Sequence, residues 1–157
     1  MHLDLSRVVA TGALLTGTLS VSARHRVAPN ACKFVSVAEV TTLIGKTVGG
    51  GQMSIVDNPN SLTSSCTYTV TNIPTVIVMV GDYPSPAAAK QEFATEMAKS
   101  KSNASEAGIG DAAFWTPGDA VSITALHRQR VATIAVVGGA PTLHDRIHSL
   151  IATALSR

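Results

Sequence analysis

The chain has 157 residues, of which 45% are apolar and 14% charged, and its formal net charge is +2. That gives enough apolar material for one ordinary domain with a core, and too little charge for a disordered chain. The 12 Lys and Arg are scattered without a basic block and aromatic residues make up only 4%, which speaks against nucleic-acid binding.

Residues 1–23 read as a signal peptide. Arg7 precedes an apolar, small-residue run from Val8 to Leu19, and Val21-Ser22-Ala23 fits the small-x-Ala cleavage rule. The run carries Thr11, Thr16 and Thr18, and it is too short and polar to span a bilayer stably. Residues 24–31 then read as a linker containing Pro29, and residues 32–157 as a single α+β domain. The expectation is a soluble mature protein, secreted or periplasmic at the cell envelope, with no stable membrane span after cleavage. Cys32 follows Pro29-Asn30-Ala31, which does not fit the Leu-containing box of a lipid-modified cysteine. The only other cysteine is Cys66. In an oxidising compartment such a pair reads as one disulfide, and without a Cys-x-x-Cys it does not read as a redox centre.

Ser36-Val37-Ala38-Glu39 is a capping box, and Val35 and Val40 occupy the positions of a hydrophobic staple. Val40, Leu43 and Ile44 give that short helix an apolar face, and Gly45 stops it. Gly49-Gly50-Gly51 leads into a strand, Gln52 to Val56. A phosphate cradle would lead into a helix, so the glycines read as a bend or bulge. After a turn over Asp57–Ser61, Ser65 to Thr71 alternates strictly, with Cys66, Tyr68 and Val70 on one face. Thr75 to Val80 is apolar on both faces and reads as a central strand.

Ser85 and Pro86 open a helix to Lys101 with Ala89, Phe93 and Met97 as its core stripe and Ala94 beside it. Asn103-Ala104-Ser105 matches a glycosylation sequon, a common three-residue pattern that carries no functional weight here. Gly108-Ile109-Gly110-Asp111 is a turn, with Asp111 expected to bond backbone amides there. Strands follow over Ala112–Trp115, Ala120–His127 and Arg130–Val137, with a polar hairpin at His127-Arg128-Gln129. Thr142 to Leu155 closes the chain as a helix with a stripe of Leu143, Ile147, Leu150, Ile151 and Ala154.

The order is helix and three strands, twice, then a closing helix. The two glycine turns at Ile44-Gly45 and Ile109-Gly110 stand 65 positions apart. The fold class expected is α+β: a mostly antiparallel sheet of about six strands, helices on one face, two α-β-β-β halves and a C-terminal helix.

Sites of chemistry are few. His144 and His148 sit at i and i+4 on the last helix, a spacing that can bind a metal if other ligands join, with His127 as a third only if the hairpin reaches that helix. No Glu lies between them in the zinc-protease position. More simply, they flank the apolar stripe as boundary histidines. No Gly-x-Ser-x-Gly elbow or second carboxylate beside Asp111 supports catalysis. Arg128 and Arg130 at the hairpin, with Trp115, are the candidate partner contacts. No cofactor is implied.

Cys32 with Ser36-Val37-Ala38-Glu39-Val40 and Leu43-Ile44-Gly45, then Cys66-Thr67-Tyr68, then Gly108-Ile109-Gly110-Asp111-Ala112-Ala113-Phe114, together resemble a broad group of small bacterial exported proteins and lipoproteins of unknown function. The resemblance implies an envelope or secreted domain without an established activity. Members often carry a lipoprotein Cys at the signal boundary, which this sequence lacks. The functional expectation is a non-enzymatic exported domain binding a small ligand or an envelope partner. The alternatives are a protein-interaction or inhibitor module and a metal-dependent enzyme.

Overall fold

The computed structural model describes residues 27–58, 61–70, 73–100 and 104–157. The signal peptide read over 1–23, the first three residues of the linker, Pro59-Asn60 in the Asp57–Ser61 turn, Thr71-Asn72 and the Asn103 sequon position lie outside them. Each half of the chain begins with a helix because its first residues bond their own amides. In the first half Asn30 caps a one-turn helix α1 (Ala31–Phe34), and Ser64 Oγ accepts from the Ala31 amide at 3.1 Å. Helix α2 (Val37–Ile44) has the full capping box, with Ser36 Oγ accepting from the Glu39 amide and Glu39 accepting from the Ser36 amide at 2.7 Å. Gly45 ends it in the left-handed region. In the second half Ser85 caps the Ala88 amide and Pro86 opens α3 (Pro86–Lys99).

The strands are β1 (Gln52–Asn58), β2 (Ser61–Val70), β3 (Ile73–Asp82), β4 (Ala104–Glu106), β5 (Ala112–Thr116), β6 (Ala120–His127) and β7 (Arg130–Val137). A 3-10 turn (Pro141–Leu143) leads into the last helix, α4 (His144–Leu155). The sheet is antiparallel throughout with spatial order β1-β2-β3-β7-β6-β5-β4. A three-strand meander (β1 to β3) and a four-strand one (β4 to β7) meet through their last strands, β3 and β7. The sequence pattern shows six of the seven strands. The seventh, β4, has three residues paired to Ala113, Phe114 and Trp115.

Register sorts the side chains into two faces. On the inner face one row runs Tyr68, Val76, Val136, Val121, and the next Cys66, Val78, Ile134, Ile123, Trp115. Helices α1, α2 and α4 bury this face through Ala31, Val40, Leu43, Ile147, Ile151 and Ala154. Helix α3 lies on the other face: Phe93 meets Phe114 edge-on at 5.2 Å between ring centres, in a cluster with Ala89, Leu126 and Val131. So three helices share the expected face and one crosses to the opposite side. Phe114 and Leu126, both outward by parity, are the apolar landing for it. Met97 stays 39% exposed, so the packed stripe of α3 ends at Phe93.

Two cross-links tie the first helices to the sheet. Cys32 and Cys66 are disulfide-bonded, with Cα atoms 5.1 Å apart. Tyr68, fully buried on the same strand, donates from its hydroxyl to the Val35 carbonyl. Burial, with Glu39 nearby as a smaller influence, pushes its phenol above the ordinary value. In the second half the Gly-Ile-Gly-Asp turn does comparable work. Ile109 is buried, Gly110 has φ +54, and a Cβ on Gly110 would lie 2.3 Å from the Leu126 carbonyl oxygen.

Two outcomes follow from these joints. The double variant Cys32→Ser, Cys66→Ser loses about 3–4 kcal/mol in urea unfolding, because the bond closes a loop over a sequence separation of 34. Wild-type protein under strong reductant matches it. Gly110→Ala loses roughly 2 kcal/mol or more, since left-handed backbone strain adds to the backbone overlap. Gly108→Ala, where nothing stands within 4 Å, loses less.

Candidate functional site

The outer face of the sheet is only partly covered. The α3 cluster takes in Phe114, Leu126 and Val131, with Tyr83 and Ala112 beside it. Beside that cluster runs the row Thr67, Ile77, Ala135, Ser122, Thr116, with Ser65 and Met79 in the next row. These side chains are half-buried, and Met79 is 40% exposed. Small hydroxyls alternate there with Ile77 and Met79, on a strip spanning five strands, about 19 Å wide. Of its residues, Thr67 and Ser122 belong to the alternating strands read from the sequence. Thr124 is the exception: it is buried beneath α3 and paired with the Thr133 hydroxyl at 2.9 Å.

His144 and His148 face the segment between β4 and β5. His144 Nε2 lies 2.9 Å from Glu106 Oε1, and Nδ1 lies 2.8 Å from Asp145 Oδ1. Its ring stands edge-on to Trp115 at 4.7 Å. His148 Nε2 donates to the Ala107 carbonyl at 3.0 Å, and the two imidazole centres are 6.2 Å apart. Both rings therefore hold the same short stretch, Glu106-Ala107, against α4. The hydrogen bond to Asp145 and then that to Glu106 hold His144 protonated above its ordinary range. Among the described residues no group of three or more His, Cys, Asp or Glu is placed to hold a metal ion. His127 is at the other end of α4, where it lines a hollow with Leu155, Ser156 and Arg157. Positions 144 and 155 of that helix are roughly 16 Å apart.

The hairpin between β6 and β7 is fixed by charge. Arg130 makes a two-pronged bond to Asp82, Nε to Oδ1 at 2.7 Å and Nη2 to Oδ2 at 3.0 Å. Arg128, the only non-glycine residue with positive φ among those described, donates its amide to Asp111 Oδ2. Asp111 thus bonds a backbone amide as expected, but in the hairpin and not in its own turn. The Arg128 residue is exposed at the tip. Trp115 is on the inner face opposite Ile123, five residues along β6 from Arg128. That separates them by about 17 Å, so they do not form one patch.

A further hollow of about 860 Å³ lies between α2 and α4, with Leu43 and Leu150 in its walls and Glu39, Asp145 and Arg146 around it. Arg146 donates to the Leu43 carbonyl at 3.3 Å, at the open end of α2. Glu39 is ion-paired with Arg157, which holds its carboxyl well below the ordinary range. Sequence reasoning did not find this groove, because its two walls are distant in the chain, Leu43 and Arg146 being 103 positions apart.

No protein-family model matches the chain, and no curated protein matches it.

The His144 contacts give a testable pH dependence. A pKa raised by folding contributes stability that is complete below the unfolded value, 6.5, and is lost as pH rises through the folded one. Urea midpoints of the wild type therefore fall across this window relative to His144→Gln, and the two converge at alkaline pH. Trp115 is the only tryptophan, so its fluorescence follows the same titration in the wild type and not in the variant.

Proposed function

We propose that this is a non-enzymatic domain, exported to the cell envelope or beyond, that binds a small ligand or an envelope partner through the outer face of its sheet. The observation that carries the reading is the half-buried row Thr67, Ile77, Ala135, Ser122 with the exposed Met79 beside it, on the face opposite α1, α2 and α4. Closely spaced hydroxyls on rigid strands offer donors and acceptors in fixed positions, and Ile77 and Met79 offer apolar contact area. Export is supported by the N-terminal pattern together with the Cys32–Cys66 bond. No helix among the described residues is long and apolar enough to cross a membrane.

A second reading, an interaction or inhibitor module acting through the hairpin, is favoured by the exposed Arg128 that Asp111 holds rigid. Affinity capture from envelope extracts separates the two. The expected result is that a molecule retained by the wild type is lost with Thr67→Lys, Met79→Lys and kept with Arg128→Ala, while all three proteins melt within a few degrees of one another. Loss with Arg128→Ala and retention with the face variant would transfer the function to the hairpin.

A further inference from the structure

The two edges of the sheet are treated differently. Strand β4 is three residues long and is tied down by the Glu106–His144 contact, so it offers no template. Strand β1 is seven residues long and pairs with β2 at every position without a bulge. No strand among the described residues pairs with its far side. Its side chains are unprotected too: Met53 is 48% exposed, Ile55 51% and Val56 52%. Natural edges are blunted by lysines, prolines, bulges or extreme shortness. Gln52-Met53-Ser54-Ile55-Val56-Asp57-Asn58 has no lysine, proline or bulge, and its sole charge is Asp57, on the inner face with Met53 and Ile55.

We propose that the β1 edge is the contact through which two copies of this chain pair, antiparallel about a two-fold axis at Ile55. With a two-fold axis normal to the sheet, inner faces stay on the same side, so each residue must meet one of equal parity. Centring on Ile55 uses all seven residues: Ile55 meets Ile55 of the other copy, Met53 meets Asp57, Ser54 meets Val56 and Gln52 meets Asn58. Only the two Ile55 side chains meet at the axis; on the same inner face each Met53 lies opposite the Asp57 of the other copy. The two Asp57 carboxylates fall at opposite ends of the ladder and do not face each other. Because the β4 edges offer no template, the pairing consumes the free edges and closes as a dimer. The contact is small. A ladder about 24 Å long buries less than the roughly 1,200 Å² of a standard interface, so the association is weak and depends on concentration. It stands independently of the ligand reading.

Analytical ultracentrifugation and targeted cross-linking of the purified protein test this. The wild type is expected to shift from monomer toward dimer between micromolar and millimolar concentration. Ile55→Lys, a change at an exposed position, remains monomeric across that range with an unaltered circular-dichroism melt. Ile55→Cys forms a covalent dimer under mild oxidation, because directly opposed Cβ atoms lie about 5 Å apart. Ser54→Cys, offset and on the other face, does not. A wild type still monomeric at millimolar concentration overturns the proposal. So does an Ile55→Lys protein that dimerises like the wild type, a Ser54→Cys protein that cross-links as readily as Ile55→Cys, assembly beyond the dimer, or an edge occupied only by a different protein.

Discussion

The seven residue pairs between β3 and β7, from Val76 opposite Val136 to Asp82 opposite Arg130, join the two halves of the sheet. Each half brings a meander that is hydrogen-bonded within itself, and a single antiparallel ladder makes them one body. Its inner side, Val76, Val78 and Val80 against Val136, Ile134 and Ala132, is fully or almost fully buried. A slip of one residue would turn every one of these outward, so the apolar pattern fixes the register strongly. The two-pronged Arg130–Asp82 bond marks one end of the ladder and adds a geometric check. The partners are far apart in sequence, so closing this ladder carries a larger loop-closure cost than closing either meander.

Much of this was legible in the sequence. The capping box at Ser36, the alternation through Cys66, Tyr68 and Val70, and the stripe of α4 each repeat a local physical rule over enough residues to be read. What escaped reading depends on contacts between distant segments. β4 is too short for any period, and it forms because Ala113, Phe114 and Trp115 present a free edge to it. The side taken by α3 could not be read, because Phe114 and Trp115 are both aromatic and either face could have been the landing. The His144–His148 spacing was visible, yet its partners Glu106 and Ala107 come from a segment with no signal of its own. The open row on the outer face was half-legible: Thr67 and Ser122 announced polar strand faces, but which rows α3 leaves bare is a matter of three-dimensional packing.

The sparse charges share a common use. Glu39 meets Arg157, Asp82 meets Arg130, Glu106 meets His144, and Asp111 caps the Arg128 amide. Each of these carboxylates joins two segments distant in sequence, at a separate place in the fold. In a chain with 14% charged residues, ionic groups fix joints while apolar parity builds the layers. The face proposed to bind is thereby left to hydroxyls and apolar side chains, which would suit recognition by shape and hydrogen bonding more than by charge.

Gly51 has a bearing on chemical durability. The main chain entering β1 passes so near the disulfide that a Cβ on Gly51 would fall 2.2 Å from Cys66 Sγ, with the Tyr68 ring next to it. Cys66 is fully buried, whereas Cys32 is half-buried. An attacking thiolate therefore reaches the bond through Cys32, and the sulfur it expels is that of Cys66. The departing thiolate forms in an apolar enclosure that disfavours its charge, making it a poor leaving group. The backbone at Gly51 thus covers the Cys66 side of the bond and leaves the Cys32 side as the more open one.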